Sequence, residues 1–450
     1  MAKFTIKCMN KTQDLGTEFT YDNQTSELLD FHGNPVLEVN HKDYQSAQVT
    51  SIDSPLGKVS PKTLKISLGL SCNYECSYCS QRFVPHADST NPKDVDKFVN
   101  ELDAWVTTPP ERIEFWGGEP LVYWKTLKPL AEMLRNKYPN TTFLMITNGS
   151  LLDIAKNEWL DQMGFHVGMS HDGPGYHVRG LDPLENEEQR NAIMDLYSRL
   201  KPKGRMSINA VLHKDNQSRK DIQDFLIKAF GDNVTIGEGS YIDPYDQGGM
   251  ESSLLSSAEQ IGYRQQAISN IRNNSVNNFN ILHQKIHDFI ESIRTARPAN
   301  AVGQKCSMDK PDNIAVDLNG NVVTCQNVSV AALAPNLQSH KIGHVSDLAS
   351  SKLSTSTHWS KRKDCPDCPV LQLCKGSCMF LEGGLWDAGC NNSFSDNIPF
   401  FAAAIETLTG YIPYYIEGPQ REDRKDIFGL VNGIQIDKQK KPFPIPVVSV

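Results

Sequence analysis

The stretch LGLSCNYECSYCSQ, residues 68–81, places cysteines at 72, 76 and 79 directly after an apolar run. Thiolates bind iron–sulfur clusters and zinc, and four ligands close either site. Three thiolates on a four-iron cluster leave one iron with an open coordination position, which can hold a substrate or cofactor. A zinc knuckle borrowing a fourth ligand, with His86 the nearest, is the other reading that the spacing allows. Seven more cysteines fall between 306 and 390: Cys306 and Cys325, then Cys365, Cys368, Cys374 and Cys378, then Cys390. The C-x2-C pair among them is also a zinc-ribbon signature. Cys8 stands apart and reads as a small buried hydrophobe.

The elements that must position these thiols are legible as a pattern. From Thr63 onward, strand-length apolar runs alternate with amphipathic stretches of helical period. The strand candidates are LKISLGL (64–70), RIEFWGG (112–118), TFLMITNG (142–149), FHVGMSHDG (165–173), RMSINAVLH (205–213) and VTIGEGSYI (234–242). Six strands alternating with helices predict an α/β fold of parallel strands. Two further helices are expected near 257–273 and 280–296. The division expected is a short β-rich extension over 1–60, a β/α unit over 61–299, a cysteine-rich unit over 300–395, and a C-terminal helix and tail over 396–450.

Bulk properties exclude several classes. At 450 residues the chain is long enough for two or three units. A net charge of −8 gives no general footprint for nucleic acid, so no such partner is expected. No apolar run approaches the roughly 18 residues of a spanning helix, and the opening MAKFTIKCMNKTQDLG does not read as a signal peptide. A cytoplasmic protein without a membrane partner is expected. There, eleven cysteines point to metal rather than disulfides.

The spacing C-x3-C-x2-C straight after the first strand, with Tyr78 before the third cysteine, resembles the cluster loop of the radical S-adenosylmethionine (SAM) superfamily. That resemblance implies a partial (β/α)6 parallel barrel and a [4Fe-4S] cluster on Cys72, Cys76 and Cys79. SAM would chelate the open iron and be cleaved reductively to a 5′-deoxyadenosyl radical, with a flavodoxin or ferredoxin as the reducing partner. The EFWGGEP stretch matches the family's GGE element at Gly117, Gly118 and Glu119, which holds the SAM amino group. The ITNG and MSHDGP strand ends, followed by YHVRG, are similar to the branch containing sulfatase maturases and peptide-modifying enzymes. By that likeness Ser170 and Arg179 contact the SAM carboxylate or ribose, and Asn148 lies nearby. Turn chemistry at a strand end also accounts for Ser170 and Asn148, and a surface ion pair for Arg179. The sequence identifies no catalytic base.

The seven later cysteines are similar to the SPASM extension, which binds two auxiliary [4Fe-4S] clusters. Carried over by position, Cys365, Cys368, Cys374 and Cys390 close one cluster, and Cys306, Cys325 and Cys378 hold the other. The fullest family pattern has an eighth cysteine shortly after the first, where this chain reads SMDKPDN. The three-cysteine cluster therefore takes a non-cysteine ligand such as Asp309 or Asp312, or has an open iron. Sulfatase maturases carry an aspartate after the cysteine matching Cys325. This chain has Gln326, which disfavours that activity. The resemblance implies a peptide or protein substrate that receives a crosslink, thioether, oxidation or epimerisation. Alternatives are a radical SAM dehydrogenase or other enzyme acting on a small molecule and, from another class, a zinc-stabilised binding module. The first 60 residues are short for a leader-binding domain. The substrate then docks elsewhere, is presented by another protein, or adds a strand to the β segments.

Overall fold

The computed structural model describes residues 2–10, 12, 16–47, 56–87, 90–334, 337–353 and 357–431. The closing KQKKPFPIPVVSV, for which a surface-docked or disordered tail is expected, lies outside them. The chain opens with strands β1 (Lys3–Met9), β2 (Gly16–Asp22) and β3 (Glu27–Leu29), then a two-residue β4 (Leu56–Gly57). Six strands follow: β5 (Thr63–Ser67), β6 (Arg112–Trp116), β7 (Thr142–Thr147), β8 (Phe165–Ser170), β9 (Met206–Asn209) and β10 (Ile236–Glu238). All six pair in parallel, in sequence order. The sheet is open, so the fold is the expected α/β class with a parallel sheet and no closed barrel.

Helices α1 (Val95–Glu101), α2 (Trp124–Lys137), α3 (Ile154–Gln162), α4 (Glu187–Leu200) and α5 (Arg219–Phe230) fill the crossovers. Asp153, Asn186 and Ser218 cap the starts of α3, α4 and α5, each side chain accepting a backbone N–H of the first turn. Under them the rings of Phe115, Phe143 and Phe165 pack with centroids 5.3 to 5.5 Å apart, joining three neighbouring strands. Beyond β10 come α6 (Gln247–Glu251), α7 (Ser257–Arg272) and α8 (Asn280–Arg294).

Two connections were not foreseen. The cysteine-rich region begins by extending the same sheet: β11 (Asn313–Asp317) pairs in parallel with β5, and β12 (Asn321–Val323) and β13 (Lys341–His344) continue antiparallel. The two-residue β14 (Lys352–Leu353) pairs with β4. After the short α9 (Leu371–Cys374), helix α10 runs from Gly383 to Thr409. Cys390 thus lies on a 27-residue helix that crosses the boundary expected at 395. Ala388 to Ile405 of α10 are almost all buried, the apolar residues from Ile398 onward in the core and the polar Asn392, Ser395 and Asp396 paired with Ser253, Arg264, Arg219 and Tyr263. Finally β15 (Ile412–Glu417) returns to β1, so the first residues form a four-stranded sheet ordered β15-β1-β2-β3. Cys8 on β1 is buried there, away from the other thiols. Among the described residues no helix is long and apolar enough to cross a membrane.

Candidate active site

Cys72, Cys76 and Cys79 line a cleft of about 920 Å³ at the C-terminal ends of the parallel strands, where β/α folds build their sites. Tyr78, Gly118, Glu119, Asn148, Ser170 and Arg179 line it with them. Backbone N–H groups of Tyr74 and Gln81 lie 3.4 Å from the sulfurs of Cys72 and Cys79, as for sulfurs that carry negative charge. Burial pushes the Cys76 thiol up to about 11, with the Arg179 guanidinium pulling the other way. A buried thiolate therefore needs a cation beside it, and a metal cluster supplies one.

The loop is clipped to three strand ends. Asn73 donates to Ser150 Oγ at 2.8 Å and accepts from Asn148 Nδ2 at 2.9 Å. Tyr78 donates its hydroxyl to the buried Asp172 carboxylate, which also accepts the Val211 N–H at 2.9 Å. Arg179 Nη1 lies 2.9 Å from Tyr78 Oη and 3.5 Å from Asp172. Its Nε is buried without a partner, as a donor waiting for an anion would be. Asp172, Asn73 and Tyr123, whose hydroxyl accepts the Ser71 N–H at 2.7 Å, were not singled out from sequence.

The Gly117-Gly118 step packs on the cysteine loop itself. A Cβ on Gly118 would lie 2.4 Å from the carbonyl oxygens of Leu70 and Ser71, and one on Gly117 would lie 2.9 Å from that of Gly69. Glu119 follows, fully enclosed. Its carboxylate accepts Thr147 Oγ1 at 2.8 Å, the Asn148 N–H at 2.7 Å and the Leu121 N–H at 3.0 Å. Burial raises its pKa while those donors oppose the rise.

The later cysteines gather in two places. Cys365, Cys368, Cys374 and Cys390 surround a small enclosed cavity together with Arg424, whose Nη2 lies 3.1 Å from Cys390 Sγ. Asn23, in the turn between β2 and β3, donates to the Cys368 carbonyl at 2.8 Å and to that of Pro366 at 3.0 Å. Cys325 and Cys378 pack on Met308, Ala315 and Phe380, and Cys306 interacts electrostatically with both. Burial pushes Cys306 and Cys325 to about 11, and Cys378 and Cys368 to about 12. The Cys306 loop is closed by the buried Lys58, whose Nζ donates to the carbonyls of Met308, Lys310 and Asn313 at 2.8 to 3.0 Å. Asp309 is buried with Oδ1 unpartnered, whereas Asp312 is half-buried and 4.0 Å from Lys62 Nζ. Among the described residues no three His, Cys, Asp or Glu side chains converge as ligands of a single ion.

Comparison with known proteins gives four likenesses. Residues 66–226 match the profile of the Radical SAM superfamily. The radical SAM cyclopropyl synthase TigE of Paramaledivibacter caminithermalis is 24% identical over 247 residues, 47% of this chain and 50% of that protein. An uncharacterized protein of Methanocaldococcus jannaschii is 28% identical over 107 residues, 23% of this chain and 35% of the other. The chain thus spans half or less of these curated relatives. The solved structure of anSMEcpe with bound AdoMet and the Cp18Cys peptide superposes with a TM-score of 0.54 at 19% identity, covering 77% of this chain and 98% of that one. That likeness is one of fold.

Proposed function

Taking residues 66–226 as the radical SAM domain that this chain carries, we propose that the protein is an iron–sulfur enzyme that uses SAM to abstract hydrogen from a peptide or protein side chain. The observation that carries this reading is the convergence of Cys72, Cys76, Cys79, Glu119 and Arg179 on one cleft. The group the three thiolates would hold is a [4Fe-4S] cluster, which supplies reductive cleavage of SAM to a 5′-deoxyadenosyl radical.

The chain's own residues bind and orient. Glu119 has three of its roughly four acceptor sites engaged, leaving one for the SAM amino group. Arg179, with its unpartnered Nε, and Ser170 would receive the carboxylate or ribose. Tyr78 orients Arg179, and Asn148 holds the cysteine loop through Asn73. Cys365, Cys368, Cys374 and Cys390 would hold one auxiliary [4Fe-4S] cluster, and Cys306, Cys325 and Cys378 another, with Arg424 offsetting thiolate charge at the first. A flavodoxin or ferredoxin would supply electrons. A peptide or protein substrate is carried over from anSMEcpe, whose structure holds one. The modification installed is a crosslink, thioether, oxidation or epimerisation.

Iron and sulfide analysis of anaerobically reconstituted protein tests the reading. About eleven or twelve irons per chain are expected from three clusters of up to four each. Four irons with one or two zincs would reject the auxiliary clusters.

A further inference from the structure

Of the three carboxylates on the cleft wall, both oxygens of Glu119 are engaged in its strand-end bonds, and Glu75 belongs to the exposed part of the cysteine loop. The third, Asp243, follows β10 and faces the cysteine-rich region. Its Oδ2 accepts Lys305 Nζ at 3.1 Å, and Lys305 immediately precedes Cys306. Its Oδ1 accepts the hydroxyl of Ser377, which in turn accepts Ser393 Oγ at 3.0 Å.

Ser377 sits in an unusual turn. Lys375, Gly376 and Ser377 have φ of 54°, 81° and 55°, three left-handed residues in a row, two of them not glycine. Such a conformation persists only where the surroundings fix it. This turn separates Cys374, which faces the four-thiol cavity, from Cys378, which joins Cys306 and Cys325. The charge of Asp243 acts on the thiols of both Cys374 and Cys378, and Lys305 offsets it at Cys374. Two residues on, Tyr245 also lines the cleft, and the Cys378 thiol and the Tyr245 hydroxyl act on each other electrostatically.

We propose that Asp243 is the positioning residue that ties the cleft to both auxiliary centres: it holds the turn that sends Cys374 and Cys378 to different sets and sets how readily those centres accept an electron. The proposal rests on the auxiliary-cluster reading above. A substrate group docking on this wall meets a carboxylate that both centres sense.

Redox titration of the reconstituted full chain, followed by EPR, tests it. The signal that added SAM perturbs belongs to the Cys72/Cys76/Cys79 cluster, and the remainder report the auxiliary centres. In Asp243→Asn the auxiliary midpoint potentials should rise and iron should pass to a chelator severalfold faster. Lys305→Met should lower the potentials, and Asp243→Glu should restore them towards wild type. Ser377→Ala keeps the charge and loosens the turn, so iron should leave faster with little change in potential, which keeps the proposal open to refutation if Asp243→Asn does not fold. Full iron content with unchanged potentials and iron release in Asp243→Asn would overturn this proposal alone. Zinc in place of auxiliary iron in the wild type would overturn the cluster reading and this proposal with it.

Discussion

Arg179 Nη1 lies 2.9 Å from the hydroxyl oxygen of Tyr78, joining the end of the fourth parallel strand's loop to the residue between the second and third cysteines of the cluster loop. The contact makes the cation that would meet SAM part of the scaffold that holds the thiols. Removing the guanidinium leaves the Asp172 charge buried with the Tyr78 hydroxyl and the Val211 N–H but no cation, a loss of about 3–5 kcal/mol for a broken buried pair. Arg179→Met should therefore weaken SAM binding at least tenfold and lower iron retention at the three-cysteine loop, read by equilibrium dialysis and iron analysis. Wild-type SAM affinity in this variant would contradict the placement.

Gly118 meets the backbone of the cysteine loop, not a flexible side chain, so nothing near it can yield cheaply. Gly118→Ala should cost about 1–3 kcal/mol by overpacking. The damage should fall on the first cluster. EPR should lose the signal that responds to SAM while the auxiliary signals persist, and equal loss of all signals would show that the strain is not local.

Asn23 reaches from the turn of the β2–β3 hairpin to the carbonyls of Pro366 and Cys368. Asn23→Ala removes two hydrogen bonds, each contributing about 0.5–1.5 kcal/mol, while Gln24 Nε2 and the Leu371 N–H still reach the two carbonyls. Faster iron release, together with a lower unfolding temperature, is expected in proportion to that cost. An unchanged melting curve would assign the hairpin no part in holding the four-thiol site.

Burial lowers His340 and His358 to about 4, from 6.5. Both are held neutral in the folded chain, while the unfolded chain takes up protons at the ordinary value. The unfolded state thus binds more protons between pH 6.5 and 4, and stability falls as pH falls through that window. Each histidine contributes up to about 3 kcal/mol of that loss. Denaturant midpoints measured from pH 7 to pH 4 should decline, and His340→Gln should flatten the decline.

The six parallel strands were legible because short apolar runs recur between helical stretches, such as TFLMIT, whose residues are all buried or half-buried. The thiols were legible by type and spacing, and the cleft brings the first three together with Glu119 and Arg179. Asp172 stood inside MSHDGP yet announced nothing, because a buried aspartate is set apart by its partners, Tyr78 and Val211, and not by its neighbours in sequence. Lys58 was hidden for the same reason, its three carbonyl partners lying some 250 residues away. Strand β15 contains Pro413, which reads as a strand breaker. It is tolerated at the sheet edge, opposite the irregularity at Lys7/Cys8. Helix α10 lacked a helical period because nearly every side of it is covered.

The central claim is that three thiolates on one cleft hold a cluster with an iron open to SAM. Release of 5′-deoxyadenosine from SAM by the anaerobically reconstituted, reduced protein measures it most directly, with wild type set against Cys76→Ala. The account predicts 5′-deoxyadenosine from the wild type and none above background from a variant that stays folded. Cleavage at the wild-type rate in Cys76→Ala, or none in a wild type carrying its full iron, would contradict it.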